Sequence, residues 1–314
     1  MCKFLVVGDA TVDQMYFVGD LPDAGGEATA LRAVMEPGGA GGTIATALAR
    51  LGNPVKIATR VGTGPFSELA LRNMRAAGVD TSLIQVDDRL QTSSVTLLIT
   101  PDTQRTMISA AGASRELDSA ALKIEQLAEC DALIMSAYSL VAGRQQEYAV
   151  RALEYATKAN VTTFIDMGTG AVNALRDRLI DLVREVDYLL MNERELFTLT
   201  GESSISDAVS GLRTHGIERV IVKVGEMGSI VITPELTELI EAFEVDGVVD
   251  STGAGDYYTA AFAHAIMRGD DLLHAARLGN IAGALNTTMV GAQSYPISEA
   301  ELDGHAEELD AVES

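Results

Sequence analysis

The residues best suited to chemistry in this 314-residue chain are Asp250-Ser251-Thr252-Gly253-Ala254-Gly255-Asp256. A β-branched run ends at Val248-Val249 just before them, and an apolar, alanine-rich segment, Tyr257 to Met267, follows. A glycine-rich turn that opens a helix exposes backbone N–H groups whose partial positive charge suits a phosphate. Here a carboxylate stands on each side of the turn. Donors for developing negative charge, with an acid beside them, are what transfer of a phosphoryl group onto a hydroxyl needs. A plainer reading fits the same residues. Ser251 or Thr252 caps a helix, and Asp256 occupies its first turn because the helix dipole favours an anion there.

Two other phosphate-binding designs can be checked by inspection. A Walker-type loop needs Gly-Lys-Ser/Thr, and none of the five lysines (Lys3, Lys56, Lys123, Lys158, Lys223) follows a glycine. A dinucleotide fingerprint is half present in Gly39-Ala40-Gly41-Gly42, with Pro37 interrupting the approach. Cys2 and Cys130 and the four histidines show no metal-type spacing, so neither a zinc site nor a disulfide framework is expected. A net charge of −22, from 23 basic and 45 acidic residues, argues against nucleic acid and anionic membranes as partners. No apolar stretch approaches a membrane span, and a soluble, cytoplasmic protein is expected. A phosphate ligand here must therefore rely on local amides, a few cations and a bound metal.

These residues need a scaffold, and the chain alternates strand-like and helix-like stretches. Strands are expected at Phe4–Val7, Val55–Val61, Ala132–Met135, Val161–Ile165, Tyr188–Met191 and Val220–Val224, with a hairpin-like pair at Ser229–Ile232 and Glu241–Val245. Helices are expected at Ile44–Leu51, Phe66–Ala77, Ser119–Ala128, Arg144–Ala159, Ala171–Val183, Ala254–Arg268, Leu272–Thr288 and Ser298–Val312. Such alternation implies a parallel sheet with helices on both faces. Two stretches break the rhythm: residues 14–36, and residues 92–107 with a turn at Pro101-Asp102-Thr103. They read as a small β lid on a core made of 1–13, 37–91 and 108–314.

Taken together the motifs resemble the ribokinase-like (PfkB) family of small-molecule kinases along the whole chain. The D-[ST]-T-G-A-G-D signature is matched at Asp250–Asp256, and the N-terminal glycine signature at Pro37-Gly38-Gly39-Ala40-Gly41-Gly42. An N-x-x-E element stands at Asn192–Glu195, and a V-x-x-G-x-x-G turn at Val222–Gly228. The resemblance implies a three-layer α/β/α fold with a mostly parallel central sheet and a small β-sheet lid. It implies ATP and Mg²⁺ as cofactors, K⁺ as an activator, and a homodimer formed through the lid. Asp256 would be the base, and the Gly253, Ala254 and Gly255 amides the anion hole. The helix dipole is expected to lower the proton affinity of Asp256, so that it acts late in the transfer. Asp250 would ligate a monovalent cation, helped by backbone oxygens near Ser251 and Gly291. Asn192 and Glu195 would orient waters on nucleotide-bound Mg²⁺; the same spacing is also a helix capping box. Gly225 and Gly228 would form the nucleotide turn. Lys223, where many relatives carry threonine, either contacts a phosphate or lies along the surface. Asn280 either borders the adenine or sits on a helix's wet face.

On the acceptor side the resemblance assigns Asp13, Gly38, Gly39 and Thr43 to the sugar, with a plain turn role as the alternative for Asp13. Thr43 stands where relatives have asparagine, and Ser136-Ala137-Tyr138 replaces a glutamate of the ribokinases. These departures point away from ribose itself. Arg105, on the expected lid hairpin, is a candidate for a charged acceptor. The expected function is ATP-dependent phosphorylation of a hydroxyl on a sugar or sugar derivative. A nucleoside kinase on the same fold is one rival, and a non-catalytic sugar- or nucleotide-binding regulator is another.

Overall fold

Burial along the first strand shows how the layers arise. In the computed structural model, which describes residues 3–101 and 105–313, Phe4–Val7 is a strand with all its side chains buried. Phe4 and Val6 join one hydrophobic core; Leu5 and Val7 join a second. Successive side chains of a strand point to opposite faces, so an unbroken apolar run demands cover on both sides. The split recurs along Tyr188–Asn192, where Leu190 faces the first core and Leu189 and Met191 the second.

The central sheet has eight strands, in the order Thr237–Ile240, Ser229–Ile232, Val220–Lys223, Tyr188–Asn192, Thr162–Asp166, Ala132–Ser136, Phe4–Val7, Val55–Ala58. Neighbours are parallel except at the Ser229–Ile232 pairings, which are antiparallel. Helices Ala40–Arg50, Pro65–Ala76, Ala254–Arg268, Leu272–Asn286 and Glu299–Glu313 pack on the first core. Gly143–Ala159, Thr169–Leu175, Asp177–Val183, Glu193–Thr200 and Ile205–Thr214 pack on the second. This is the expected three-layer α/β/α arrangement. No described helix is long and apolar enough to cross a membrane.

A separate four-stranded sheet runs Ala30–Gly38, Thr11–Val18, Ser94–Ile99, Arg105–Ala110. It draws on both stretches expected to form the lid. Strand Thr11–Val18 begins before residue 14, so Asp13 lies inside a strand and not in a turn. Asp102, Thr103 and Gln104, in and beside the expected hairpin turn, lie outside the described residues.

Several boundaries differ from expectation for identifiable reasons. The run Val55–Val61 leaves the main sheet after Ala58, and Arg60–Val61 pairs instead with Gln85–Val86. Ser119–Ala128 is a 3-10 turn, Ser119–Ala121, followed by a short helix, Ile124–Ala128. Ala171–Val183 is two helices, broken where Arg176 takes a positive φ of 47°. The strand after Ser229–Ile232 is Thr237–Ile240, not Glu241–Val245.

Candidate active site

Parallel strands present their carboxyl ends to one side of a sheet, and ligands bind in the crevice there. In this chain that edge carries Asn192 beside Lys223, and Asp166 beside Ser136. Helix Ala254–Arg268 starts over the same edge, capped by Gly253 at φ 82°. A Cβ at Gly253 would lie 2.5 Å from the Ala292 carbonyl oxygen, so this turn tolerates only glycine.

Asp250 organises the loop. Its Oδ1 accepts from the Thr252 amide at 3.0 Å and from Thr252 Oγ1 at 2.6 Å. Its Oδ2 accepts from the Gly291 amide at 2.9 Å. Asp250 thus meets Gly291 through the Gly291 N–H, where a backbone oxygen was expected. Arg105 reaches in from the lid sheet: its Nη1 donates to Thr252 Oγ1 at 2.9 Å and lies 3.9 Å from Asp250 Oδ1.

Asp256 occupies the first turn of the helix. The expectation that the dipole lowers its proton affinity is corrected by its surroundings. Burial raises its pKa well above the usual carboxylate range, and Asp166, Asp13 and Glu195 add to the rise while Lys223 opposes it. Desolvation and three like charges outweigh a helix terminus, whose influence is confined to its end turn.

Lys223 does not lie along the surface. Its Nζ donates to Asp166 Oδ1 at 2.6 Å and to the Gly255 carbonyl at 3.3 Å. Burial disfavours the ammonium, but Asp166, Glu195 and Asp256 outweigh that cost and hold its pKa above the usual value. It is a fixed cation against the anion-hole turn. Asn192 and Glu195 form the capping box: the Glu195 amide donates to Asn192 Oδ1 at 2.8 Å, and Glu195 Oε2 accepts from the Asn192 amide at 3.0 Å. Thr169 Oγ1 donates to Glu195 Oε1 at 3.0 Å, so the carboxylate is held in place from two sides.

A cleft of about 920 Å³ runs from this turn along the sheet edge. Lys223, Gly225, Gly228, Ser251, Ala254, Gly255 and Asn280 line it, whereas Asn192 and Gly253 are not among its lining residues. Its volume falls in the range of small-molecule and cofactor sites. Asn280 is not on a wet face; it is buried, and its Nδ2 donates to the carbonyls of Ile240 and Glu241 at 3.0 and 2.9 Å.

The acceptor side is built on close approach. A Cβ at Gly38 would sit 2.2 Å from Asp13 Oδ2, and one at Gly39 would sit 2.4 Å from the Asp9 carbonyl oxygen. Gly38 and Gly39 are therefore required by the Asp13 carboxylate and the turn behind it. Asp13 Oδ1 accepts from Thr11 Oγ1 at 2.7 Å. Burial, reinforced by Asp250, lifts Asp13 to about 6. Thr43 is fully buried and its hydroxyl has no partner among the described residues.

Sequence reading missed Asp166 and Gln293, and gave Tyr138 no role. Asp166 closes the apolar run Thr162–Asp166, a carboxylate at a strand end that was a readable signal. The Tyr138 ring fills the space above Gly168 and Gly170, its hydroxyl accepts from the Gly170 amide at 3.3 Å, and burial with Glu195, Asp256 and Asp166 nearby raises its pKa.

A family model described as pfkB family carbohydrate kinase matches residues 1–300. The chain belongs to that family. Deoxyribokinase of Salmonella typhi is 26% identical over 305 residues, covering 94% of this chain and 95% of that protein. An ATP-dependent ribose-1-phosphate kinase of Halopiger xanaduensis is 27% identical over 302 residues, covering 96% and 97%. The crystal structure of ribokinase from Thermotoga maritima matches with a TM-score of 0.83 at 25% identity, covering 98% of this chain and all of that one. The fold is therefore ribokinase-like, and this family member is a phosphotransferase that uses an alcohol group as acceptor.

Proposed function

We propose that this kinase transfers the γ-phosphoryl group of ATP to a hydroxyl of a sugar or sugar derivative, with Asp256 as the base. The observation that carries this assignment is the position of Asp256. It stands in the first turn of a helix whose Ala254 and Gly255 line the cleft, with Asp13 near enough to raise its pKa. The acceptor lies against Asp13, Gly38 and Gly39, and the nucleotide along Lys223, Gly225, Gly228 and Asn280, with Asn280 beside the adenine. The acceptor oxygen bonds to the γ-phosphorus as the bond to the β–γ bridging oxygen breaks. The hydroxyl proton passes to Asp256, and ADP leaves. The Gly253, Ala254 and Gly255 amides and Lys223 meet the charge on the moving group, as fixed donors that need no reorganisation. Arg105 closes the lid over the acceptor and excludes water.

The residues fit Mg²⁺ held through water. Asp166, Glu195 and Asp256 outnumber their one lysine, and no described group of three ligands is built to grip a metal directly. Glu195 and Asn192 would hold that water shell, and the ion would neutralise phosphate charge. A monovalent cation such as K⁺ would be held at Asp250 with backbone oxygens near Ser251 and Gly291, where the carboxylate already accepts from the Thr252 and Gly291 amides. It would brace the anion-hole loop.

A coupled ADP-release screen over pentoses, hexoses, sugar acids, sugar phosphates and nucleosides tests the reading, with Asp256→Asn as control. We expect turnover with a sugar, and a loss of about 10²–10⁴-fold in kcat for Asp256→Asn, the usual weight of a general base. ATP affinity should change less than about threefold, because in this assignment Asp256 meets the acceptor proton and not the nucleotide. A near-normal rate in that variant removes the base role. Turnover of adenosine or inosine alone selects the nucleoside kinase; binding of ATP and sugar without ADP formation selects the regulator.

A further inference from the structure

Gly291, Ala292 and Gln293 form a stretch without regular secondary structure that is nonetheless buried, with Gln293 only 1% exposed. Loops usually run over the surface, because buried irregular backbone leaves polar groups to satisfy. This stretch is a strap between the two halves of the site. At one end the Gly291 amide donates to Asp250 Oδ2 at 2.9 Å, and the Ala292 carbonyl presses on Gly253, 2.5 Å from where a Cβ would be. At the other end Gln293 Nε2 donates to the Gly38 carbonyl at 3.2 Å, and Gln293 Oε1 lies 3.3 Å from Thr46 Oγ1, whose hydrogen goes to the Gly42 carbonyl at 2.7 Å. The Gln293 carbonyl is clamped by Arg50 Nη1 at 2.8 Å and Asn73 Nδ2 at 3.2 Å.

We propose that Gln293 is a positioning residue that sets the acceptor-holding turn in register with the phosphoryl-binding loop. The inference rests on the assignment of those two loops in the proposed function. The Gln293 amide nitrogen bonds the turn that carries Gly38 and Gly39, and its oxygen lies against Thr46 of helix Ala40–Arg50. Displacing this amide therefore shifts the turn relative to Gly253 by way of two intervening residues. In-line transfer is sensitive to such shifts, because reacting atoms must sit about 3–3.5 Å apart. Binding at one loop should accordingly be felt at the other, and reciprocally.

Binding and exchange are read with AMP-PNP and Mg²⁺, which needs no acceptor, and turnover is read with ATP and the acceptor found by the ADP-release screen. Hydrogen exchange is followed by mass spectrometry on the full chain. In the wild-type protein, saturating AMP-PNP should slow exchange at Gly253–Tyr257 and also at Gly38–Thr46, on the far side of the strap. Gln293→Met, which keeps length and loses the bond to Gly38, should retain AMP-PNP affinity within about threefold and lose at least half of the protection at Gly38–Thr46. Its kcat should fall by about 10–100-fold, and it should release more ADP than phosphorylated product. A merely structural glutamine would lower Tm and leave far-side protection and the ADP-to-product ratio unchanged. Protection confined to the nucleotide cleft in the wild-type protein overturns the inference even if the variant does not fold. Failure of AMP-PNP to bind overturns instead the function on which it rests.

Discussion

Asp13 shows how a single side chain ties stability to use. Burial raises its pKa from 3.8 to about 6, Asp250 adds to the rise, and the Thr11 hydroxyl offsets part of it. An acid whose folded pKa is raised stabilises the fold below its unfolded value and loses that contribution as pH climbs through the folded one. The window here is about pH 4 to 6. Above it, keeping Asp13 ionised costs about 3 kcal/mol, from a shift of roughly two units at 1.36 kcal/mol each. Asp13→Asn should therefore melt several degrees above wild type at about pH 8, with the gap closing by about pH 4, while the acceptor KM rises at least tenfold. Scanning calorimetry across pH checks this, and a gap independent of pH would refute it. Asp250 and Asp256 were readable in the sequence because they bracket one short glycine turn at a helix start. The pairings of Asp166 with Lys223 and of Gln293 with Gly38 were not, because the partners lie 57 and 255 positions apart. No local spacing encodes contacts that only the sheet order creates.

Elements were legible where burial was one-sided or complete. Phe4–Val7 and the alanine-rich Ala254–Arg268 stand out as apolar runs. Thr237–Ile240, with only its last residue half-buried, carries no alternation to read, and Glu193–Thr200 is too short for a helical period to show. The contact between Ala254–Arg268 and Leu272–Asn286 also explains Gly279. A Cβ there would meet the Tyr258 ring at 2.8 Å. That ring cannot readily swing away, because its hydroxyl is bonded to Ser229 Oγ at 2.9 Å. Tyr258 also lines the nucleotide cleft. Overpacking of this kind typically costs about 1–3 kcal/mol. Gly279→Ala should lower Tm and raise the KM for ATP several-fold with little change in acceptor KM. Unchanged nucleotide affinity in a destabilised variant would separate the helix contact from the cleft.

At the scale of the molecule, the lid sheet leaves its edges open. Strand Arg105–Ala110 is exposed along its length, with Met107 62% and Ile108 64% exposed, and Leu31, on the opposite edge strand, is 79% exposed. Unpaired apolar edges invite pairing with another chain. A homodimer through the lids is the expected state, so light scattering should give twice the 33.2 kDa of one chain. Ile108→Asp should return it to one; a wild-type protein already monomeric at micromolar concentration removes the dimer. The sequence revealed that a lid exists but not what it touches, since apolar alternation marks a sheet and not its neighbours. The strap has a different consequence, in time. Gly38 emerges from the ribosome more than two hundred residues before Gln293. On the proposed assignment the acceptor turn is thus synthesised long before the residue that ties it to the phosphoryl-binding loop, and a chain cut short before Gln293 should hold the two loops unaligned.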